Sequence, residues 1–222
     1  MFGPIMRFRA NELDIELAPL CKEDMHEFIS AGGMQSYTVT KYLSRRSAPT
    51  IEDEYQWFEQ TRTESSSYVW GIYVHAEGKR CLIGNTAINS IAYHPMSGAS
   101  TGFMIFRPEY WGNGIASACH KARTWYAFTQ LGLTRISSGV YEPNIGSRKA
   151  LEKVGYIPTH TERNAGFVDG RYISLTHFII INPLHTHWTA WWHGDPIPSE
   201  FLDARIRTQT ALEWVNTHVQ FS

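Results

Sequence analysis

Gly112 and Gly114 stand between an apolar, strand-like run, Gly102 to Phe106, and a segment of helical character that reaches about Leu131. The chemistry open to this spacing is anion binding. The first turn of a helix carries backbone N–H groups without intrahelical partners, and the helix dipole adds partial positive charge there. Glycine lets the backbone curl tightly and approach a ligand with no Cβ in the way. A phosphate or pyrophosphate is the natural guest, which points to a cofactor-binding enzyme. A nucleoside-triphosphate loop has a Lys-Ser/Thr pair after its last glycine, whereas Gly114 is followed by Ile115 and Ala116. A dinucleotide loop has a third glycine where Ser117 stands, and an acid on the next strand, where Thr134 to Val140 has none. An ordinary turn with two glycines also fits, and the glycines alone do not decide.

A second group lies downstream, Asn144-Ile145-Gly146-Ser147-Arg148-Lys149-Ala150-Leu151-Glu152-Lys153-Val154-Gly155-Tyr156. With both groups on the page, the chain resembles the GNAT superfamily of N-acetyltransferases. Within it the chain is most similar to the branch that acetylates N-terminal alanine and serine amines of ribosomal proteins. The family loop is Arg/Gln-x-x-Gly-x-Gly/Ala; here Glu109 takes its first position, followed by Tyr110, Trp111, Gly112, Asn113 and Gly114. The family motif Asn-x-x-Ser-x-x-Ala-Leu-Glu-Lys-x-Gly-Phe/Tyr is matched from Asn144 to Tyr156. The resemblance runs from about Leu13 to Ile181.

The resemblance implies that acetyl-coenzyme A is the cofactor. It implies that backbone groups from Glu109 through Ile115, Ala116 and Ser117 hold the pyrophosphate. The backbone of Met104, Ile105 and Phe106 would pair with the pantetheine arm, and an N–H near Met104 would face the thioester oxygen. The side chains of those three residues are expected in the core. Asn144 is expected both to cap a helix and to bond the cofactor arm. Many family members place a tyrosine acid where Leu151 stands here. The ribosomal-protein branch uses a serine instead, which Ser147 matches. A helix-face role competes with catalysis for Ser147. The branch's acidic base falls on Gly166. Glu142, Glu162 and Asp169 lie nearby, each a candidate for a solvated surface carboxylate as much as for a base. The aromatic residues Tyr37, Tyr42, Tyr55 and Trp57 would form the acceptor side. The reaction implied is direct attack by a primary amine, of a protein N-terminus or a small molecule, on the thioester. A non-catalytic coenzyme A-binding module of the same fold is the alternative, distinguished by turnover.

The elements that must position these residues follow from periodicity. Leu13 to Leu17 alternates as a half-buried strand, and Lys22 to Ala31 has a helical pattern that stops at Gly32-Gly33. Thr50-Ile51-Glu52-Asp53 has the pattern of a capped helix start. Tyr68 to Val74 and Cys81 to Ile91 form a hairpin about the Glu77-Gly78 turn, followed by a strand over Ser100 to Phe106. The helix after the loop should bury Ile115, Ala118, Ala122, Trp125 and Tyr126. Strands are expected at Thr134 to Tyr141, Tyr156 to Thr161 and Arg171 to Ile181, with a short helix over Ser147 to Val154. The fold class is α/β, a mixed, mostly antiparallel twisted sheet with flanking helices. Residues 1–182 are expected to form the acetyltransferase domain and 183–222 a tryptophan-rich extension with a helix over Ser199 to Val219. Half of the 8 tryptophans lie in that extension, so it should pack on its own domain or build a homodimer.

Composition bounds the rest. The 222 residues are 43% hydrophobic and 18% charged with net charge −1, so there is no field to gather nucleic acid or an acidic membrane. Arg45-Arg46 is too short for a basic patch, and no apolar run is long enough for a membrane span. The N-terminus lacks a signal peptide's apolar core. Three scattered cysteines, Cys21, Cys81 and Cys119, suit reduced thiols in a cytoplasm. No metal site is expected; His185, His187 and His193 lack a partnering acid or cysteine at helical spacing.

Overall fold

The computed structural model describes residues 1–30, 33–43, 47–76, 78–93 and 97–222. Ala31-Gly32, Arg45-Arg46, Glu77 and the His185 side chain lie outside the described residues. Nine strands follow the hydrogen-bonded order β7-β8-β6-β5-β4-β3-β2-β1-β9. The chain divides into two compact units. One holds Met1–Asn89, Gly102–Ala116 and Val219–Ser222, the other Ser90–Thr101 and Ser117–His218.

In the first unit, β1 (Met6–Ala10) and β2 (Leu13–Ala18) form a tight hairpin whose register runs from Met6↔Leu17 to Ala10↔Leu13. Met6, Phe8 and Ala10 are buried and Arg7 and Arg9 exposed, the period of two that a one-sided strand requires. The turn is closed by Asn11 at φ 51°, a left-handed conformation that asparagine tolerates better than most residues. After β2 come α1 (Met25–Ile29), shorter than its sequence pattern suggests, α2 (Tyr37–Thr40) and α3 (Ile51–Thr63). The Thr50 side chain accepts from the Asp53 amide, and the Asp53 carboxylate from the Thr50 amide, so the expected capping box is formed in both directions. β2 pairs with β3 (Tyr68–Ala76), and β3 with β4 (Lys79–Ala92), antiparallel throughout. The last short strand, β9 (Gln220–Phe221), pairs with β1.

One irregularity in this unit bears on the site. The register passes from Ile72↔Gly84 to Tyr73↔Leu82, so Ile83 is an extra residue in β4, a β-bulge. Its carbonyl accepts from the Phe106 amide at 2.9 Å. Beside it, a Cβ on Gly84 would collide with the Met104 carbonyl oxygen and crowd the Ile105 backbone. Gly84 therefore permits a close backbone approach by β5 (Gly98–Ile105). The core around it joins Phe28, Phe58, Tyr73, Leu82 and Phe106.

The second unit takes up the chain within α4 (Ile115–Trp125), which continues as one π-helical turn, Tyr126–Gln130. Ile115, Ala118 and Ala122 are buried as expected, but Trp125 and Tyr126 are half-buried. Cys119, His120, Arg123 and Thr124 are buried as well, so the helix is enclosed on more sides than its apolar stripe implies. Burial pushes the Cys119 thiol up. Burial, with help from the Arg123 charge, holds His120 well below its usual range, so neither residue is a ready nucleophile or acid at neutral pH. β6 (Arg135–Tyr141) pairs in parallel with β5 over Gly98–Ser100 and antiparallel with β8 (Arg171–Ile181), which pairs with β7 (Ile157–Val168). Between β6 and β7 lies α5 (Ile145–Glu152).

The C-terminal segment of this unit is α6 (His185–Trp192) and α7 (Ser199–His218). Trp188, 5% exposed, packs with Ile157, Ile179, Ile181 and Ala204, and Trp191, Trp192 and Phe201 extend the cluster. The buried stripe of α7 is Ala204, Thr208, Ala211 and Val215, mostly small residues that bring its backbone close. It comes so close to Gly155 (φ 110°) that a Cβ there would collide with the Thr208 hydroxyl and the Ala204 carbonyl. Of the extension's histidines, His187 bonds Thr134 at 3.3 Å and His193 ends α6 in a left-handed conformation. Among the described residues no helix is long and apolar enough to cross a membrane.

Candidate active site

The loop predicted from the glycine pattern lies where the sequence puts it. Pro108–Tyr110 makes a single 3-10 turn after β5, and α4 begins at Ile115. Between them Gly112 (φ 81°) and Gly114 (φ 77°) both hold the left-handed conformation that favours glycine. A Cβ on Gly112 would meet nothing within 4 Å, so the outer side of the loop is open to a ligand.

Side chains from elsewhere fix the loop's frame. The Trp111 indole N–H donates to the Ile105 carbonyl at 2.9 Å, tying the loop to the strand before it. Arg107 donates to the Leu82 carbonyl at 3.0 Å and pairs with Glu27 on α1. Asn11, in the β1–β2 turn, donates to the Asn113 carbonyl at 2.9 Å across 102 positions of sequence. Burial, followed by the Cys81 and Glu109 charges, pushes the Tyr110 hydroxyl up, so it stays protonated at neutral pH. This open, glycine-lined helix start fits a pyrophosphate, because a helix's first turn carries N–H groups without intrahelical partners and the positive φ angles leave room for close approach.

On β5, Ile105 and Phe106 are buried and Met104 packs on the same core, as expected for their side chains. Beside Gly102, Phe103 and Met104 is a cavity of about 500 Å³. Glu54, Trp57 and Thr61, spaced three or four apart on α3, with Glu64 at its C-cap, form one wall, and Asn85 and Asn89, on one face of β4, another. Of the four aromatics expected on the acceptor side, Trp57 lines this cavity. Tyr55 instead bonds His26 at 2.9 Å, and Tyr37 is 59% exposed. Glu54 is 3% exposed and was hidden in the sequence. It sits one residue past the capping box and looks like one more acid of a first helical turn.

In the second unit, Asn144 is the N-cap of α5. Its side-chain oxygen accepts from the Ser147 amide at 3.2 Å. Among the described residues no partner is recorded for the Asn144 amide hydrogens or for the half-buried Ser147 hydroxyl. Leu151 is fully packed, 1% exposed. Glu142 is exposed, and Glu162 lies 3.6 Å from His177. Asp169 occupies the β7–β8 turn at φ 51°. A Cβ on Gly166 would press on the Tyr141 ring.

Comparison with known proteins agrees with this architecture. Residues 14–157 match the model of the acetyltransferase (GNAT) domain. The uncharacterized N-acetyltransferase YoaA of Bacillus subtilis is 28% identical over 148 residues, which is 65% of this chain and 81% of that protein. Among solved structures, Mycobacterium smegmatis RimJ in complex with CoA-disulfide superposes with a TM-score of 0.70 at 16% identity. It covers 99% of this chain and 97% of its own, so the match includes the C-terminal helices. The spermidine N-acetyltransferase of Vibrio cholerae, in complex with CoA and spermine, gives 0.67 at 19% identity over 76% of this chain and 95% of its own. At these identities the superpositions speak for the fold, a mixed α/β architecture with a mostly antiparallel sheet. The two glycines, the Asn144 to Tyr156 motif and a domain model spanning most of the chain converge: this protein belongs to the GNAT family of acetyltransferases.

Proposed function

We propose that the protein is an acetyl-coenzyme A-dependent N-acetyltransferase whose acceptor is a primary amine, on a protein N-terminus or a small molecule. The observation that carries this is the open left-handed turn at Gly112 and Gly114, set between β5 and the start of α4, with a cavity at Gly102 to Met104 on the same β5. Within Glu109 to Ser117 the Tyr110 and Trp111 N–H groups already donate to the Arg107 and Pro108 carbonyls, so the backbone N–H groups from Gly112 to Ser117 would hold the pyrophosphate. The backbone of Met104, Ile105 and Phe106 would align the pantetheine arm. Bound acetyl-coenzyme A supplies the acetyl group as a thioester. An N–H near Met104 would stabilise charge on the thioester oxygen. Asn144 would bond the arm, and the Ser147 hydroxyl would hand a proton to the leaving thiolate.

The acceptor enters the α3–β4 cavity. Its amine must be neutral to attack, and Glu54 is the carboxylate best enclosed there to orient it or accept its proton. Asn85 and Asn89 offer hydrogen bonds to the rest of the acceptor.

The test is a coenzyme A-release assay with the full chain, run across alanyl and seryl peptides and across small amines. Turnover with one of these groups is expected. Tight cofactor binding with no turnover in either would favour a binding module instead. In parallel, Gly112→Val puts a β-branched side chain at a positive φ and onto the open ligand side. Calorimetry should show at least a tenfold loss of coenzyme A affinity; wild-type affinity in that variant would rule out this placement.

A further inference from the structure

A trans peptide is a rigid plane in which the C=O of one residue and the N–H of the next point in opposite directions. The Asn113–Gly114 peptide is such a plane, and it lies in the loop between two left-handed glycines. Gly114 tolerates several φ values, so this plane is easier to rotate than one followed by a residue with a Cβ, and the nearest atoms to a Cβ built there belong to the Asn11 side chain, at 3.6 Å. A rotated plane would turn the Asn113 carbonyl oxygen toward the anion site and take the Gly114 N–H away from it. One bond from a distant element opposes that rotation: the Asn11 amide donates to the Asn113 carbonyl at 2.9 Å.

We propose that Asn11 is a positioning residue for cofactor binding, holding the Asn113–Gly114 peptide so that the Gly114 N–H faces the pyrophosphate. Two properties of asparagine are used together. Its backbone accepts φ 51° in the β1–β2 turn, and its short side chain carries a donor at the reach the loop requires. The turn itself is anchored by the β1–β2 ladder, which closes at Ala10↔Leu13 directly beside it. The hairpin thus acts as a fixed post for one peptide group. This inference rests on the reading of Gly112 and Gly114 as the cofactor loop.

Asn11→Gly keeps the left-handed turn and removes the donor. Asn11→Asp keeps the shape and replaces the donor with an acceptor that repels the Asn113 carbonyl. Calorimetric titration of each full-length variant with coenzyme A should show affinity about threefold to tenfold weaker for Asn11→Gly and weaker still for Asn11→Asp. The melting temperature of ligand-free Asn11→Gly should match the wild type, which a merely structural turn residue would not predict. Unchanged coenzyme A affinity in both variants overturns the proposal, as does a loss that follows the ligand-free melting temperature. If the wild type binds coenzyme A and Gly112→Val does not, while Asn11→Gly binds normally, the loop assignment stands and the role of Asn11 falls. If the wild type itself does not bind, both fall.

Discussion

Asn144 caps α5 through its carbonyl oxygen, so its amide hydrogens are different atoms from the ones the cap uses, and the proposed bond to the cofactor arm would draw on them. Ser147 lies three residues on, and its amide rather than its hydroxyl serves the cap. Replacing Ser147 with alanine should leave coenzyme A affinity within about twofold, and lower the turnover number about tenfold or more if the hydroxyl moves the proton. Steady-state rates at saturating acetyl-coenzyme A, beside a calorimetric titration, separate the two effects. Full turnover in Ser147→Ala would leave water to protonate the thiolate. At this scale the sequence revealed what is local. The glycine turn and the Asn144–Ser147 pair are short-range patterns, and the structure forms them as a left-handed turn and an N-cap bond. Glu54 and Asn11 were illegible for the opposite reason. Each belongs to an unremarkable local pattern, a helical first turn and a hairpin turn, and gains its role from a neighbour far away in the chain.

Among the elements, most of the expected strands and helices appear within a few residues of their bounds, and the Thr50 capping box is formed as its spacing predicts; β7 runs on to Val168, well past the expected end at Thr161, because its exposed polar stretch hides the strand pattern. β1, α2, α6 and β9 have no counterpart among the expected elements; β1 alternates like β2, with Arg7 and Arg9 on its exposed face, but at five residues it is a short pattern. The bulge at Ile83 was invisible because a one-residue insertion in a strand leaves no signature in hydrophobic pattern. Yet the bulge and Gly84 decide how β5 presents Met104. Gly84→Ala should force the Met104–Ile105 backbone outward. The expected destabilisation is about 1–3 kcal/mol, as for other overpacked sites, measured by the denaturant midpoint. The turnover number should fall while coenzyme A affinity at the Gly112 loop holds. A stable variant with normal turnover would mean that Met104's backbone position is not critical.

For the whole molecule, the test lies in the extension. Ending the chain after Asn182 removes Trp188 from the cluster with Ile157, Ile179 and Ile181, and strips α7 from Gly155. Each large buried side chain lost is worth about 2–3 kcal/mol, so several together approach the stability of an ordinary domain. The shortened chain should melt far lower or bind a hydrophobic dye at room temperature. A melting temperature unchanged from the full chain would show that the extension does little for the fold. Light scattering on the two lengths reads the oligomeric state: a dimer built by the extension should appear in the full chain and be lost on shortening. The contact between α7 and Gly155 also bears on transplantation. Gly155 closes the Asn144–Tyr156 motif, and the helix resting on it comes from more than forty residues downstream. A relative with any side chain at that position could not accept α7 as a graft without changing both partners at once. Recombination that exchanges C-terminal segments between members of this family would therefore succeed only when the motif's glycine and the small-residue stripe of the incoming helix travel together.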